Sequence, residues 1–159
     1  MSLYFAYGSN LSAPDWLRWC AARGHEGAGL RYLRPARLEG WALEFSIRSP
    51  SRGGGVLNVR ERPGALAWGG LYEVDEAAWR ALDAKEAVPT LYERRTVSVV
   101  CALGQAHEVV TYVAAAGTGL DLIRPVDAYV ALVRQALRDR GIDTTGLEQA
   151  AAEGYARGR

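Results

Sequence analysis

The 159 residues are enough for one compact domain, and a content of 49% hydrophobic and 23% charged residues is typical of a globular protein without long disordered segments. The net charge of +1 argues against nucleic acid or an anionic membrane as a partner, and two cysteines outside any CxxC pair argue against a structural zinc site. We therefore expect a single domain, residues 1–159, without a structural metal. We further expect no cofactor, and either a monomer or a homodimer, a choice that the sequence does not make.

The N-terminus has no basic segment followed by a short apolar core, and no run of about 18 apolar residues occurs. This pattern predicts a soluble protein with no membrane partner, in a reducing compartment, the cytoplasm. Two arginine clusters stand among interspersed acidic residues, so we interpret them as solvated surface and expect no nucleic-acid partner. The clusters are Arg31, Arg34 and Arg37, and Arg134, Arg138 and Arg140.

In chain order, the first predicted element is a strand. Residues 3–7 form a short apolar and aromatic run, which residues 8–10, Gly-Ser-Asn, end as a tight turn. Pro14 suits the first turn of a helix, and the glycine-rich segment 24–29 ends that helix.

The rest of the chain alternates between strand and helix patterns. Strands are predicted at 31–47, 56–59, 65–74, 96–102 and 108–114, the last two as a hairpin. Helices are predicted at 76–86, 125–140 and 147–155. About six strands with inserted helices indicate an α+β fold, a small mixed sheet or barrel with flanking helices.

Glu86 is the most informative candidate for chemistry. If the helix that Asp75 caps reaches this residue, Trp79, Leu82 and Glu86 lie on one face, where an apolar side chain is expected. Desolvation there would raise the pKa of the carboxyl group toward neutrality, which suits a group that takes up and returns a proton. The alternative is that the helix ends one turn earlier and Glu86 is a solvated loop residue.

The turn after the first strand is the second candidate. Backbone N–H groups of residues 8–10 could point into one concavity and bind a carboxylate or a developing oxyanion. Taken alone, a strand followed by Gly-Ser-Asn is most often an ordinary turn.

The stretch FAYGSNL at residues 5–11, followed later by LDAKE at residues 82–86, closely resembles the γ-glutamylcyclotransferase family. The YGSNL form is more similar to the general enzymes and their γ-glutamylamine relatives than to the glutathione-specific branch, whose motif is YGSL. The resemblance extends over almost the whole chain and implies a small mixed α/β barrel. One departure stands out, because the family's glutamate is usually followed by glycine and here by Ala87.

The resemblance implies roles for individual residues. Glu86 corresponds to the family's catalytic glutamate, and Tyr92 and Tyr112 lie where the family carries tyrosines near its site. The residues that the resemblance assigns to substrate binding are Tyr4, Phe5, Ala6, Tyr7, Gly8, Ser9, Asn10 and Tyr129.

The implied reaction is an intramolecular aminoacyl transfer on a small γ-glutamyl substrate. The α-amine of the substrate attacks its own γ-carbonyl carbon, which releases 5-oxoproline and an amino acid or amine. Glu86 would act as general base and then general acid. Two alternatives stay open: removal of a γ-glutamyl group from an amine in a biosynthetic pathway, and a protein without catalytic activity that binds a small acid.

Overall fold

The computed structural model describes residues 2–159. The strands are β1 (Ser2–Ala6), β2 (Arg31–Ser49), β3 (Gly54–Val74), β4 (Tyr92–Cys101) and β5 (Ala106–Ala114). The helices are α1 (Ala13–Ala22), α2 (Glu76–Lys85), α3 (Asp127–Asp139) and α4 (Thr145–Arg157), and a short 3₁₀ turn at Ser9–Leu11 follows β1.

The five strands close into a barrel in the order β1, β3, β2, β4, β5. Strand β1 is parallel to β5 and antiparallel to β3, and the other neighbouring pairs are antiparallel. The barrel is therefore mixed, and the predicted α+β fold with flanking helices is confirmed. Strand β1 is only five residues long, so the chain leaves the barrel wall after Ala6, whereas the neighbouring strands β3 and β5 extend further.

The number of strands is five, compared with the predicted six or so, because the segments 56–59 and 65–74 belong to one strand. Strand β3 runs from Gly54 to Val74 and pairs with β2 over nearly its whole length. The polar residues between the two predicted segments are exposed. The pairing with β2 shifts register there, with residues 62–65 unpaired, and resumes on both sides.

One connected hydrophobic core fills the barrel and the space beneath the helices. Phe5 and Leu82 are fully buried in it, so β1 and α2 share this core. Helix α4 packs on β2, and α3 packs on the turn after β1. No helix among residues 2–159 combines the length and apolar character needed to cross a membrane.

Local signals set the bounds of the two helices nearest that turn. Helix α1 begins after Ser12, whose hydroxyl accepts a hydrogen bond from the Asp15 amide at 3.3 Å. Helix α2 begins after Asp75, whose carboxylate accepts from the Ala78 amide at 2.8 Å. It ends at Lys85, so the predicted end at Glu86 is correct to within one residue.

Candidate active site

A cleft of about 360 Å³ opens where β1 ends, between the 3₁₀ turn, α1, the C-terminus of α2 and the β2–β3 turn. The residues that line it are Tyr4, Tyr7, Gly8, Ser9, Asn10, Asp15, Arg18, Trp19, Arg23, Ser49, Ser51, Arg52, Val56, Leu57, Lys85, Glu86, Leu91, Tyr92, Tyr112 and Tyr129. Of the binding residues that the sequence predicts, the buried Phe5 and Ala6 are outside this lining.

Glu86 lies inside the cleft and contacts the turn after β1. The Asn10 Nδ2 atom donates to Glu86 Oε1 at 2.9 Å and to the Tyr4 hydroxyl at 2.9 Å. The amide of one side chain therefore joins β1, the turn and the end of α2, elements that are far apart in sequence.

The end of α2 directs Glu86 into the cleft. The Val88 amide donates to the Asp83 carbonyl at 3.0 Å and the Ala87 amide to the Ala84 carbonyl at 3.2 Å. This pair of bonds is a Schellman motif, in which Glu86 is the C-cap residue and Ala87 has a left-handed backbone with φ of 51°. Glycine adopts this conformation without steric cost, which explains why a glycine suits the position after the glutamate.

We expect Ala87→Gly to stabilise the protein. Alanine in the left-handed region costs roughly 1 kcal/mol, and glycine gives back about half of that through the greater entropy of the unfolded chain, so the expected net gain is about 0.5 kcal/mol. Urea unfolding measures the difference. The matched control is Ala84→Gly, at an exposed position inside α2, which should cost about 1 kcal/mol. A similar loss for both variants would contradict the left-handed backbone at Ala87.

Burial raises the pKa of Glu86 above the ordinary value, although the charge of Lys85, the hydrogen bond from Asn10 and the charge of Arg52 oppose the shift. The carboxyl group is therefore easier to protonate than that of an exposed glutamate. A group of this kind can accept a proton from a substrate and return it within one turnover.

Three charged residues that the sequence analysis did not single out lie beside Glu86. Asp15 accepts two hydrogen bonds from the Arg52 guanidinium, at 2.9 and 2.7 Å, and one from Lys85 Nζ at 3.1 Å. Lys85 Nζ also donates to Asn10 Oδ1 at 2.7 Å. A signal for Lys85 was present, because it is the single lysine in a chain with eighteen arginines.

Four tyrosines surround Glu86 along with Tyr4. The Tyr7 hydroxyl donates to the Tyr112 carbonyl and the Tyr92 hydroxyl to the Leu57 carbonyl, both at 2.7 Å, while the Tyr112 hydroxyl donates to Asp83 at 2.8 Å. Burial raises the pKa of Tyr129 to about 12. These phenols stay neutral at physiological pH and form a rigid wall around the carboxyl group.

The turn after β1 lines the cleft and carries backbone donors. Within residues 2–159, the N–H groups of Gly8, Ser9 and Asn10 donate to no protein acceptor. A Cβ atom on Gly8 would lie 3.3 Å from the Tyr129 hydroxyl, so a larger residue would press on this tyrosine and narrow the cleft. Amide donors beside a carboxyl group can bind an anionic group while a proton is transferred. Over the described part of the chain, no three His, Cys, Asp or Glu side chains are grouped as metal ligands.

A family model described as gamma-glutamyl cyclotransferase, AIG2-like, matches residues 4–130, from β1 to the start of α3. The chain belongs to this family. The match includes the turn after β1, Glu86 and Tyr129, so all the residues that line the cleft fall within the part shared with gamma-glutamyl cyclotransferase, AIG2-like proteins.

Solved structures show the same fold. An uncharacterised human protein, 22% identical, has a TM-score of 0.80, and a structure named gamma-glutamyl cyclotransferase, 23% identical, has a TM-score of 0.76. Each alignment covers 95% of this chain and 86% of the other. A yeast gamma-glutamyl cyclotransferase specific to glutathione is 14% identical, with a TM-score of 0.62 over 98% of this chain and 95% of its own. Comparison with curated proteins gave no match.

Proposed function

We propose that this protein catalyses intramolecular aminoacyl transfer, in which a γ-glutamyl group is cyclised to 5-oxoproline and an amino acid or amine is released. The observation that carries the proposal is the carboxyl group of Glu86, with its raised pKa, held 2.9 Å from Asn10 beside three backbone N–H groups without a protein acceptor. Membership of the gamma-glutamyl cyclotransferase family supports the same reaction.

Each step uses a group that the chain supplies, so the proposal names no cofactor. Glu86 takes a proton from the α-ammonium group of the substrate, whose ordinary pKa is about 8. The α-nitrogen attacks the γ-carbonyl carbon, and the N–H groups of Gly8 and Ser9 stabilise the negative charge that develops on the oxygen. The bond to the leaving nitrogen then breaks, and Glu86 returns its proton to that nitrogen. The second proton that the α-nitrogen loses as the lactam forms passes to the released amine, which leaves as an ammonium group, and Glu86 is ionised again.

The outer wall of the cleft bears on the choice of leaving group. Arg18 and Trp19 of α1 and Arg23 just after it line this wall. Asp15 is already paired with Arg52 and Lys85, and the exposed Arg18 guanidinium reaches it only at 4.0 Å. A leaving group with a carboxylate, such as an α-amino acid, would be attracted to these arginines, whereas a polyamine would be repelled. We therefore propose γ-glutamyl amino acids as the preferred substrates over γ-glutamyl amines.

A panel of matched substrates tests both the reaction and the preference. The pair γ-glutamylphenylalanine and γ-glutamylphenethylamine differ only in the carboxylate of the leaving group, and 5-oxoproline is measured by mass. We expect both to react, with kcat/KM for the amino acid higher by about 3- to 10-fold, as one exposed charge contact allows, and with the ratio falling at high salt. Equal rates would contradict the preference, and no 5-oxoproline from any γ-glutamyl compound would contradict the function.

Binding of a small acid without catalysis is the second candidate, because the same arginines would attract a free dicarboxylate. This candidate gives Glu86 no task, since a second negative charge in the cleft weakens anion binding. Saturable binding of glutamate together with no release of 5-oxoproline would favour it over the proposed reaction.

The location proposed for this reaction is the cytoplasm. Cys20 and Cys101 are both buried free thiols, which is compatible with a reducing compartment. Fractionation of the native host with an antibody against the chain tests the proposal.

A further inference from the structure

The side chain of Lys85 is buried, although burial of a charged ammonium group is unfavourable unless the group is paired. Only 8% of the side chain is exposed. The Nζ atom lies 3.1 Å from Asp15 Oδ2, 2.7 Å from Asn10 Oδ1 and 5.6 Å from the centre of the Trp16 ring. Because Lys85 immediately precedes Glu86, both side chains extend from the same helix end to the same asparagine.

The contacts of Asn10 leave its amide a single favourable orientation. An ammonium group has only donors, so it requires the oxygen of the Asn10 amide, while an ionised carboxylate has only acceptors and requires its nitrogen. Lys85 contacts Asn10 Oδ1, and Glu86 accepts from Asn10 Nδ2. Without Lys85, a rotated amide would present its oxygen to the Glu86 carboxylate and repel it.

We propose that Lys85 is a positioning residue for the reaction: its ammonium group sets the orientation of the Asn10 amide, and through that amide it holds the Glu86 carboxylate in one orientation in the cleft. The inference rests on the proposed function, because it assigns Lys85 a task in the same site. The inference goes beyond the proposed function because it names a residue that need not contact the substrate.

The charges around the pair are consistent with this task. Burial lowers the pKa of Lys85, and the charges of Asp15 and Glu86 oppose that shift. Arg52 faces both Lys85 and Glu86 from the β2–β3 turn, so Lys85 is not the only cation near the carboxyl group. The other titratable groups that influence or line the site come from every element around it: Tyr4 of β1, Tyr7 just after β1, Arg18 and Cys20 of α1, Arg23 just after α1, Tyr92 of β4, Tyr112 of β5 and Tyr129 of α3.

Lys85→Met and Lys85→Arg separate the charge of the ammonium group from its position. In Lys85→Met we expect kcat to fall about 10-fold or more, as for other groups that orient a reacting residue, with a smaller change in KM. The acid limb of kcat/KM should also move to higher pH, because loss of the cation makes Glu86 easier to protonate. In Lys85→Arg the acid limb should stay near that of the wild type, while kcat is still reduced, since a planar guanidinium cannot reproduce both contacts.

The matched control is Arg80→Met, an exposed cation on α2 that forms no ion pair among residues 2–159. It should change neither kcat nor the acid limb. A double-mutant cycle with Asn10→Ala adds a second criterion: if Lys85 acts through Asn10, the two losses in kcat are far from additive. Additive losses, or a Lys85→Met enzyme with the kcat and acid limb of the wild type, would overturn the inference.

A measurement on the unchanged chain covers the case in which Lys85→Met does not fold. Because Lys85 is the single lysine, labelling with [¹⁵Nζ]lysine gives one side-chain signal. We expect the Lys85 signal to be shifted from that of free lysine, to titrate with a pKa lower than that of free lysine, and to move in Asn10→Ala. The shift and titration of an exposed lysine would overturn the inference. This readout needs no turnover, so an absence of 5-oxoproline release would reject the proposed function and leave the contacts of Lys85 still testable.

Discussion

Glu86→Gln should lose at least about 100-fold in kcat while the protein keeps its fold, because the glutamine amide cannot accept the proton of the α-ammonium group. The variant is nearly isosteric, and its Oε1 can still accept the hydrogen bond that Asn10 donates in the wild type. Loss of proton transfer is therefore separated from loss of geometry. Release of 5-oxoproline measures turnover, and circular dichroism checks the fold.

The stability of Glu86→Gln is a second criterion within the same variant. The pKa of Glu86 is raised in the folded state, so its contribution to stability is present at low pH and is lost as the pH rises through the folded-state pKa. At neutral pH the neutral glutamine should leave the free energy of unfolding unchanged or increase it. Glu108→Gln, at an exposed position on β5, is the control and should affect neither turnover nor stability. Unchanged turnover in Glu86→Gln would contradict the proposed role.

Asp15→Asn should have the largest effect on stability. The carboxylate of Asp15 is 8% exposed and joins Arg52 and Lys85, and removal of one partner of a buried ion cluster leaves uncompensated charges. We expect the free energy of unfolding to fall by about 3 kcal/mol, measured by urea denaturation. The control is Glu39→Gln, whose ion pair with Arg37 is exposed and should contribute less than about 1 kcal/mol.

The same cluster predicts how stability depends on pH. Burial alone would raise the pKa of Asp15, but the hydrogen bond from Arg52 and the charge of Lys85 hold it below the ordinary value of 3.8. Its contribution is therefore present at neutral pH and is lost as the pH falls through the lower folded-state value. In Asp15→Asn this acid-dependent component should disappear. A variant as stable as Glu39→Gln, with the acid response of the wild type, would contradict the account.

Local signals predicted the elements that form the cleft. These elements are set by residues close together in the sequence. They are the strand at residues 3–7, the Gly-Ser-Asn turn after it, and helix α2, which begins after the Asp75 cap and ends before Pro89. The helix ends one residue before the predicted position, at a Schellman motif that lacks its usual glycine. The sequence therefore predicts that Glu86 lies at the end of a helix, but it does not predict the direction of the Glu86 side chain.

The charged cluster could not be predicted, because it depends on contacts between residues far apart in sequence. Arg52 reaches Asp15 across 37 positions, and Lys85 reaches Asn10 across 75. Phe5 was predicted as a binding residue, but adjacent residues of β1 face opposite sides of the strand, and the Phe5 ring packs in the core against Gly69. The continuity of β3 was missed because the strand passes through polar, exposed residues and an irregularity in its pairing with β2, and pairs with β2 on both sides of it.

The pH dependence of kcat/KM for 5-oxoproline release from γ-glutamylphenylalanine tests most directly whether Glu86 carries the proton. The structure predicts an acid limb with an apparent pKa above 4.5, the ordinary value for glutamate, because burial raises the pKa of this carboxyl group. Residual activity of Glu86→Gln should lack that limb. An acid limb that persists unchanged in Glu86→Gln would contradict the account, because another group would then control proton transfer.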